Sequence, residues 1–552
     1  MEMKNYLLVG IMALSMVNLS SCDEKIEGGD GEPDLSGKME ELTPSESKKQ
    51  LQNVGVEFVE AINPKAHENL MEVIAYLGDE YAYYDVDEDY YEKLEDLYEE
   101  DSEYRENAPA AKPNPVAAVR GLMAVGLDAA QNGAQLATRA TEFYSFTMQA
   151  GLKDLYGKFT PSVKKEEWKY DDSVTDRLEV EFTDEDDRVW VATLKGSEKT
   201  TIIHMTYEDV YKYESVYSEK QVVDGEIYNE ESSEYIDRNN EEVDVLIEVP
   251  ENITFVVKCG DQTVIDMTVD SKLDVDYSIS EYYEVYQDRS YVYYYTYDSY
   301  WEEYNLNYSE EVLNKYERDE KCNLTVDYDD LSVNARLNVN GYEESWIANS
   351  NKQGGNTTVE MKIDGKSMLK YEASAKADID ALISQMNYNT SVSVDNYDDY
   401  YDLWENEEYE DVDASYLKSF SMYVDVMGKV QVVGKCESFE ALYDAVELTE
   451  DEVEEYEEMT TKKALQHYVD GINQTFSIAV HYDKTTTVQA TIEMEVAKYD
   501  SDSYGIEPVI VFACDDSRYS FEEYFEEDSF EDLIVAIEKL ASSFEKTFNK
   551  YF

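Results

Sequence analysis

Positive charge is what this 552-residue chain lacks: 46 Lys and Arg stand against 124 Asp and Glu, a formal net charge of −78. Such a surface repels nucleic acid and anionic lipid and attracts divalent cations and basic peptides. Histidine is scarce as well. His67, His204, His467 and His481 lie too far apart for a local zinc pair. His67 and His467 fall in helical stretches and His481 on the outward phase of a strand, which gives these three structural or surface roles. Besides Cys22 there are Cys259, Cys322, Cys436 and Cys514, with no CxxC spacing among them. Free core thiols and two disulfides both stay open, since four cysteines allow several pairings. A GxSxG elbow, a Walker loop, a GxGxxG turn and an HExxH helix are all absent. A carboxylate pair for glycoside hydrolysis cannot be nominated among so many acids. The apolar run at the start, Tyr6 to Val17, is too short to cross a bilayer.

That run nonetheless has a setting. It follows Met1-Glu2-Met3-Lys4 and leads to Leu19-Ser20-Ser21-Cys22, the three-part plan of a secretory signal peptide. The last four residues resemble the lipobox of bacterial lipoproteins, in which the cysteine is acylated and becomes the new N-terminus. The resemblance implies that residues 1–21 are removed and that Cys22 anchors the chain to a membrane. Several acyl chains hold firmly, at about 0.8 kcal/mol per buried methylene. Asp23-Glu24 resembles the export signal of Bacteroidota-type surface lipoproteins. In other Gram-negative lipoproteins an aspartate there resembles an inner-membrane retention signal. The implied location is the outer membrane, surface-exposed, with the periplasmic face as the alternative. None of this reaches the body of the chain.

The body folds. Apolar residues make up 43% and aromatics 13%, with 50 tyrosines, whereas disordered acidic chains are poor in rings. Tyrosine suits half-buried strands because its ring is apolar and its tip is polar.

Residues 22–43 are an acidic, Gly-rich tether. A helical region covers 44–160: Thr43-Pro44-Ser45-Glu46 opens a first helix with a capping box, and Asn63-Pro64 opens a second with Gly78 as its stop. An acidic, Tyr-rich insertion occupies 79–111, and Asn114-Pro115 opens a third helix. From residue 166 to 525 the period becomes 2. Leu178, Val180 and Phe182 alternate, then Trp190, Ala192 and Leu194 do so across an Asp-rich turn, Asp184 to Asp187. Residues 255–276 and 359–380 align without a gap, putting Gly260-Asp261 on Asp364-Gly365, two dipeptides suited to hairpin turns. Similar pieces surround Met427-Gly428 and Asp483-Lys484. A helix is expected near 450–470, capped at Thr449 and stopped by Gly471. The segment 526–552 reads as a helix capped by Ser529, with Phe530, Leu533, Ile537, Leu540 and Phe544 turned inward onto the sheet. The fold class is therefore α+β: a body of antiparallel hairpins, with an internal repeat, flanked by amphipathic helices.

Candidate sites are sparse. Acidic Tyr-rich stretches lie near 205–245, 277–320 and 395–413. In the middle one Tyr291, Tyr293, Tyr295 and Tyr297 share one strand face, with Trp301 beyond, and such rings stack on sugars or contact a partner protein. Asp85, Asp87 and Asp89, with Asp96 at the twelfth position, have the alternating carboxylates of a Ca²⁺ loop. Tyr90 replaces its turn glycine, and Asp96 its bidentate glutamate. The expected function is a lipid-anchored, non-catalytic binding or structural protein of the cell envelope. Its partner would be a glycan, an envelope protein or a cationic peptide. The alternatives are an envelope hydrolase working through carboxylates and an acidic decoy for cationic peptides.

Overall fold

The computed structural model describes residues 35–81, 83–100, 114–132, 152–223, 226–295, 315–395, 399, 416–446, 461–498, 504–525 and 530–550. Helix α1 (Pro44–Ala61) starts where its sequence dictates. Thr43 caps the Glu46 amide, and the Glu46 carboxylate accepts from the Thr43 amide at 2.9 Å. Then come α2 (Glu68–Asp79), strand β1 (Asp85–Val86), α3 (Glu88–Glu100) and α4 (Pro115–Asn132). Asn114 Oδ1 accepts from the amides of Val116 and Ala117, both at 3.0 Å, and so holds the start of α4.

Short strands follow: β2 (Gly157–Ser162), β3 (Glu167–Asp171), β4 (Leu178–Thr183) and β5 (Val189–Gly196). Two very long ones come next, β6 (Thr200–Val223) and β7 (Glu226–Pro250). After β8 (Asn252–Cys259) and β9 (Gln262–Lys272) the chain makes β10 (Val275–Tyr295) and β11 (Lys315–Asp327). It continues with β12 (Leu331–Val339), β13 (Tyr342–Asn351), β14 (Gly354–Ile363) and β15 (Lys366–Ala377), then α5 (Ile379–Met386) and β16 (Tyr388–Val394). Strands β17 (Leu417–Val426) and β18 (Val430–Cys436) precede α6 (Phe439–Val446) and α7 (Thr461–Thr475). The last elements are β19 (Phe476–Tyr482), β20 (Ala490–Lys498), β21 (Tyr504–Phe512), β22 (Arg518–Ser520), α8 (Phe521–Tyr524) and α9 (Glu531–Phe548).

The strands form two sheets, mostly antiparallel. Among the described residues the larger has seventeen strands, and its pairings run β1-β3-β2-β4-β5-β8-β9-β12-β13-β14-β15-β17-β18-β19-β20-β21-β22. From β4 onward neighbours in space follow chain order, interrupted only by excursions. Those excursions build the second sheet, β7-β6-β10-β11-β16, in which β6 and β10 run parallel. Each leaves the large sheet at the same end: between β5 and β8, between β9 and β12, and between β15 and β17. Antiparallel alternation brings those strand ends side by side.

Register aligns the core. Leu178 pairs with Leu194, Leu194 with Phe255, Phe255 with Met267 and Met267 with Leu337, all buried. Helices α2 and α4 cover this face with Leu70, Val73, Leu77, Val119, Leu122 and Met123. Hairpin turns take the backbone they need: Asp364 and Gly365 have φ of 51° and 75°, and Met427 and Gly428 have 57° and 69°. The segments 255–276 and 359–380 each contain such a hairpin, β8–β9 and β14–β15.

Several helical expectations change. Helix α7 runs through Gly471 to Thr475 instead of stopping there. A Cβ on Gly471 would stand 2.5 Å from the Ala445 carbonyl oxygen, so this glycine lets α6 and α7 touch. The start expected at Thr449 lies outside the described residues. Helix α9 lies against α1 rather than on the sheet, at Gly55, where an added Cβ would meet Leu533 at 2.9 Å. Ser529 is outside the described residues, and Phe530 stands at the cap position with no side-chain cap bond. Ile537, expected inward, is 49% exposed, because the contact with α1 is narrower than a sheet face. Residues 36–42, expected within the tether, form a strap along the loop 483–489. Ser36 donates to the Lys484 carbonyl at 2.7 Å, the Leu42 amide to Gln489 Oε1 at 2.7 Å, and the Met39 amide to Thr487 Oγ1 at 3.1 Å. His481, expected outward, is buried, with Nδ1 3.1 Å from the carbonyl oxygen of Thr487 in the loop that the strap grips.

Candidate functional site

Two of the acidic Tyr-rich stretches meet in one sheet, whereas the one near 395–413 lies almost wholly outside the described residues and the insertion at 79–111 supplies α3 on the core of the large sheet. Those near 205–245 and 277–320 supply β6, β7, β10 and β11, four strands of the second sheet. The two faces of that sheet differ. On one, Tyr211 and Tyr283 stack with ring centroids 5.2 Å apart and planes 9° from parallel, while Tyr213, Tyr283 and Val394 pack around Val285 and Tyr316. Tyr207 Oη donates to Glu281 at 3.1 Å on the same phase, and burial pushes the half-buried Tyr277 hydroxyl up to about 12. On the opposite phase charges interleave with rings. Lys212 pairs with Glu284 at 3.5 Å and covers the Tyr282 ring, and Lys315 pairs with Glu317 at 2.8 Å and covers Tyr286. Strand β7 is outermost and exposes Tyr235, Ile236 and Leu246.

Tyr291, Tyr293 and Tyr295 occupy the far end of β10, opposite Glu219, Gln221 and Val223 of β6. Their side chains, and Tyr297 and Trp301 altogether, lie outside the described residues, as do Cys22, Asp23 and Glu24. The Asp-rich segment at 85–96 is a strand leading into a helix. Asp85 pairs with Glu167 in the sheet, and Asp87 caps α3, with its two oxygens accepting from the amides of Asp89 (3.4 Å) and Tyr170 (3.3 Å). The Asp96 side chain is outside the described residues. Among the described residues no three His, Cys, Asp or Glu side chains are grouped to hold a metal.

Asp184 in the turn between β4 and β5 has a structural task. It accepts from Trp190 Nε1 at 2.8 Å, from the Arg188 amide at 2.9 Å and from Arg188 Nε at 2.6 Å. Burial alone would push its carboxyl up; the Trp190 and Arg188 hydrogen bonds and the Arg188 charge outweigh it and leave it below the usual carboxylate range. Arg188 also reaches Glu72 of α2 at 2.9 Å. The cysteines Cys259, Cys322, Cys436 and Cys514 are all free, and burial pushes the first three thiols up. His67 is buried with Nδ1 unpartnered, and burial lowers its pKa to about 4.

Two concavities stand out. A cavity of about 430 Å³ lies where the two sheets meet, lined by His204, Leu246, Lys272, Asp276, Asp327 and Asp330 among others. His204 sits between Asp244 at 2.9 Å and Asp276 at 3.4 Å, and the bond to Asp244 raises its pKa first of all. A second, of about 500 Å³, lies at the β3 edge and is lined by Lys93, Lys158, Thr160, Lys169 and Tyr170 with Asp89, Asp171 and Asp172. Sequence reasoning missed these lysines, since residues 93 and 158 are joined only through the tertiary fold. No family model, curated protein or solved structure matches this chain.

Proposed function

We propose that the protein is a lipid-anchored, non-catalytic binding protein of the cell envelope that meets its partner, a glycan or an envelope protein, on the tyrosine-bearing sheet. The observation that carries this reading is the convergence of two separate acidic Tyr-rich stretches, near 205–245 and 277–320, on one sheet at one end of the larger one. Insertions that served solubility alone would have no reason to pair with one another across 72 residues of sequence, as Val275 does with Ile203. Rings spaced along strands supply rigid, amphipathic contact area at little entropic cost. The anchor rests on Leu19 to Cys22, with Asp23-Glu24 favouring the outer membrane.

Two experiments test the reading. Cys22→Ala should abolish incorporation of a fatty-acid label, and a labelled variant would overturn the anchor. The second sheet can be shortened without opening the core of the first if the cuts spare Ile203, Ile247, Val249 and Leu273, which belong to that core; Glu208 pairs with Glu242 and Tyr277 with Val326 just beyond them. A chain with short turns at those two points should lose binding on glycan arrays and in envelope pull-downs. Undiminished binding would overturn the assignment to this sheet.

A further inference from the structure

We propose that the cavity at the free edge of β3 is a binding site for an acidic sugar, a pyranose ring bearing one carboxylate. Strand β1 pairs only with Glu167 and Trp168. Among the described residues, Lys169 to Asp171 therefore face no strand on that side, and α3 closes the space instead. Asp89 and Lys93 lie one helical turn apart on α3 and reach the cavity from one wall. From the other wall come Lys158 and Thr160 of β2, which stand opposite Asp171 and Lys169 of β3.

Three lysines in one cavity are unexpected in a chain with so few bases. Lys158 is neutralised by Glu179 at 3.0 Å and Glu181 at 2.7 Å. The other two are not. Lys93 donates to the Tyr156 carbonyl at 2.9 Å and lies 5.6 Å from the Tyr170 ring centre, with no carboxylate in ion-pair range among the described residues. Burial pushes its pKa down, against the pull of Asp154 and Asp172. Lys169 likewise makes no ion pair among the described residues. Two ammonium groups with no carboxylate in direct ion-pair range among the described residues favour an anion.

The three carboxylates narrow its class. Inorganic phosphate would bring its charge against Asp89, Asp171 and Asp172, and a neutral sugar would leave the lysines unanswered. A zwitterionic amino acid wants its two signs segregated, whereas the β2–β3 register interleaves them, Lys158 beside Asp171 and Thr160 beside Lys169. Sugar hydroxyls both donate and accept, so they suit an alternating rim, and one carboxylate suits Lys93 and Lys169. The volume, about 500 Å³, lies in the range of small-ligand pockets.

The test uses the full chain and titration calorimetry with a galacturonate disaccharide, its methyl ester, the neutral galactose disaccharide, inorganic phosphate and glutamate. The acid should bind, and the ester should bind about tenfold more weakly, because a charge-assisted bond is lost. Lys169→Met, at a surface position, should weaken the acid by a similar factor with an unchanged melting temperature. Lys93→Met should do the same, and Lys93→Arg should restore part of the affinity. Equal binding of acid and ester, tighter binding of phosphate or glutamate, unaltered affinity in both Met variants, or no binding of the acid would each overturn the proposal. The chain shortened in its second sheet should bind the acid unchanged, so failure here and failure of the tyrosine-bearing surface are told apart.

Discussion

The row Leu194, Phe255, Met267 and Leu337 crosses four strands of the large sheet and is almost wholly buried, at 0 to 3% exposure. The comparable row Tyr211 and Tyr283 in the second sheet is only half-buried, on strands about twice as long. The first sheet is held by area removed from water, at about 1.5–3 kcal/mol for each fully buried large side chain. The second is held by its backbone ladder and by cross-strand pairs of about 0.2–1 kcal/mol each. A chain can thus extend strands far beyond its core if rings and charges alternate along them, but such strands form the less stable unit. Exposed ring and charge surface is what they gain.

The largest test of this contrast is Trp190→Ala, which should cost about 3–5 kcal/mol in denaturant unfolding. A loss below about 1 kcal/mol would mean that the buried row does not hold the large sheet. His67 adds a pH signature. The unfolded imidazole takes a proton below about pH 6.5, whereas the buried one resists until about 4. Stability therefore stands in full above the unfolded value and falls as the pH drops through that window, by about 3 kcal/mol in all. His67→Leu should flatten the curve relative to the parent; parallel curves would refute this. Asp184→Asn comes next, at about 1–3 kcal/mol, since it removes the charge that answers Arg188 beside the Trp190 indole. Tyr283→Leu in the second sheet should cost about 0.5–1.5 kcal/mol, and only local amide exchange along β6 and β10 should quicken. Smallest of all, excising the second sheet beyond Glu208 and Tyr277, which leaves Val249 and Leu273 in the core, should leave melting of the large sheet in place. A chain that then fails to fold would show that the two sheets stabilise each other.

Legibility in the sequence followed locality. The alternation from Leu178 to Leu194 gives its hairpin because both strands and the turn lie within one short span. Asp364-Gly365 gives its turn for the same reason. Asn340-Gly341, with φ of 50° and 89°, makes an equally local turn between β12 and β13, and its dipeptide carries the same signal. The parallel pairing of β6 with β10 leaves no local period at all, so the tyrosine stretches could be seen but not their meeting. Gly471 shows a different limit. A glycine that stops a helix and one that admits a neighbour look alike until Ala445 is in place. The Lys93, Lys158 and Lys169 cavity belongs with the nonlocal cases, because it depends on where α3 lies beside a strand edge that is unpaired among the described residues.

Tension entering from the N-terminal side meets the strap at residues 36–42 before it meets either sheet. Its bonds, spread from Ser36 to Leu42, grip the loop that joins β19 to β20. Both strands have neighbours on each side, β18 and β21, so a pull at residue 35 is delivered inside the large sheet and not to its rim. Load then shears several bonds along an extended segment at once. The edge strands β1 and β22 are spared from peeling.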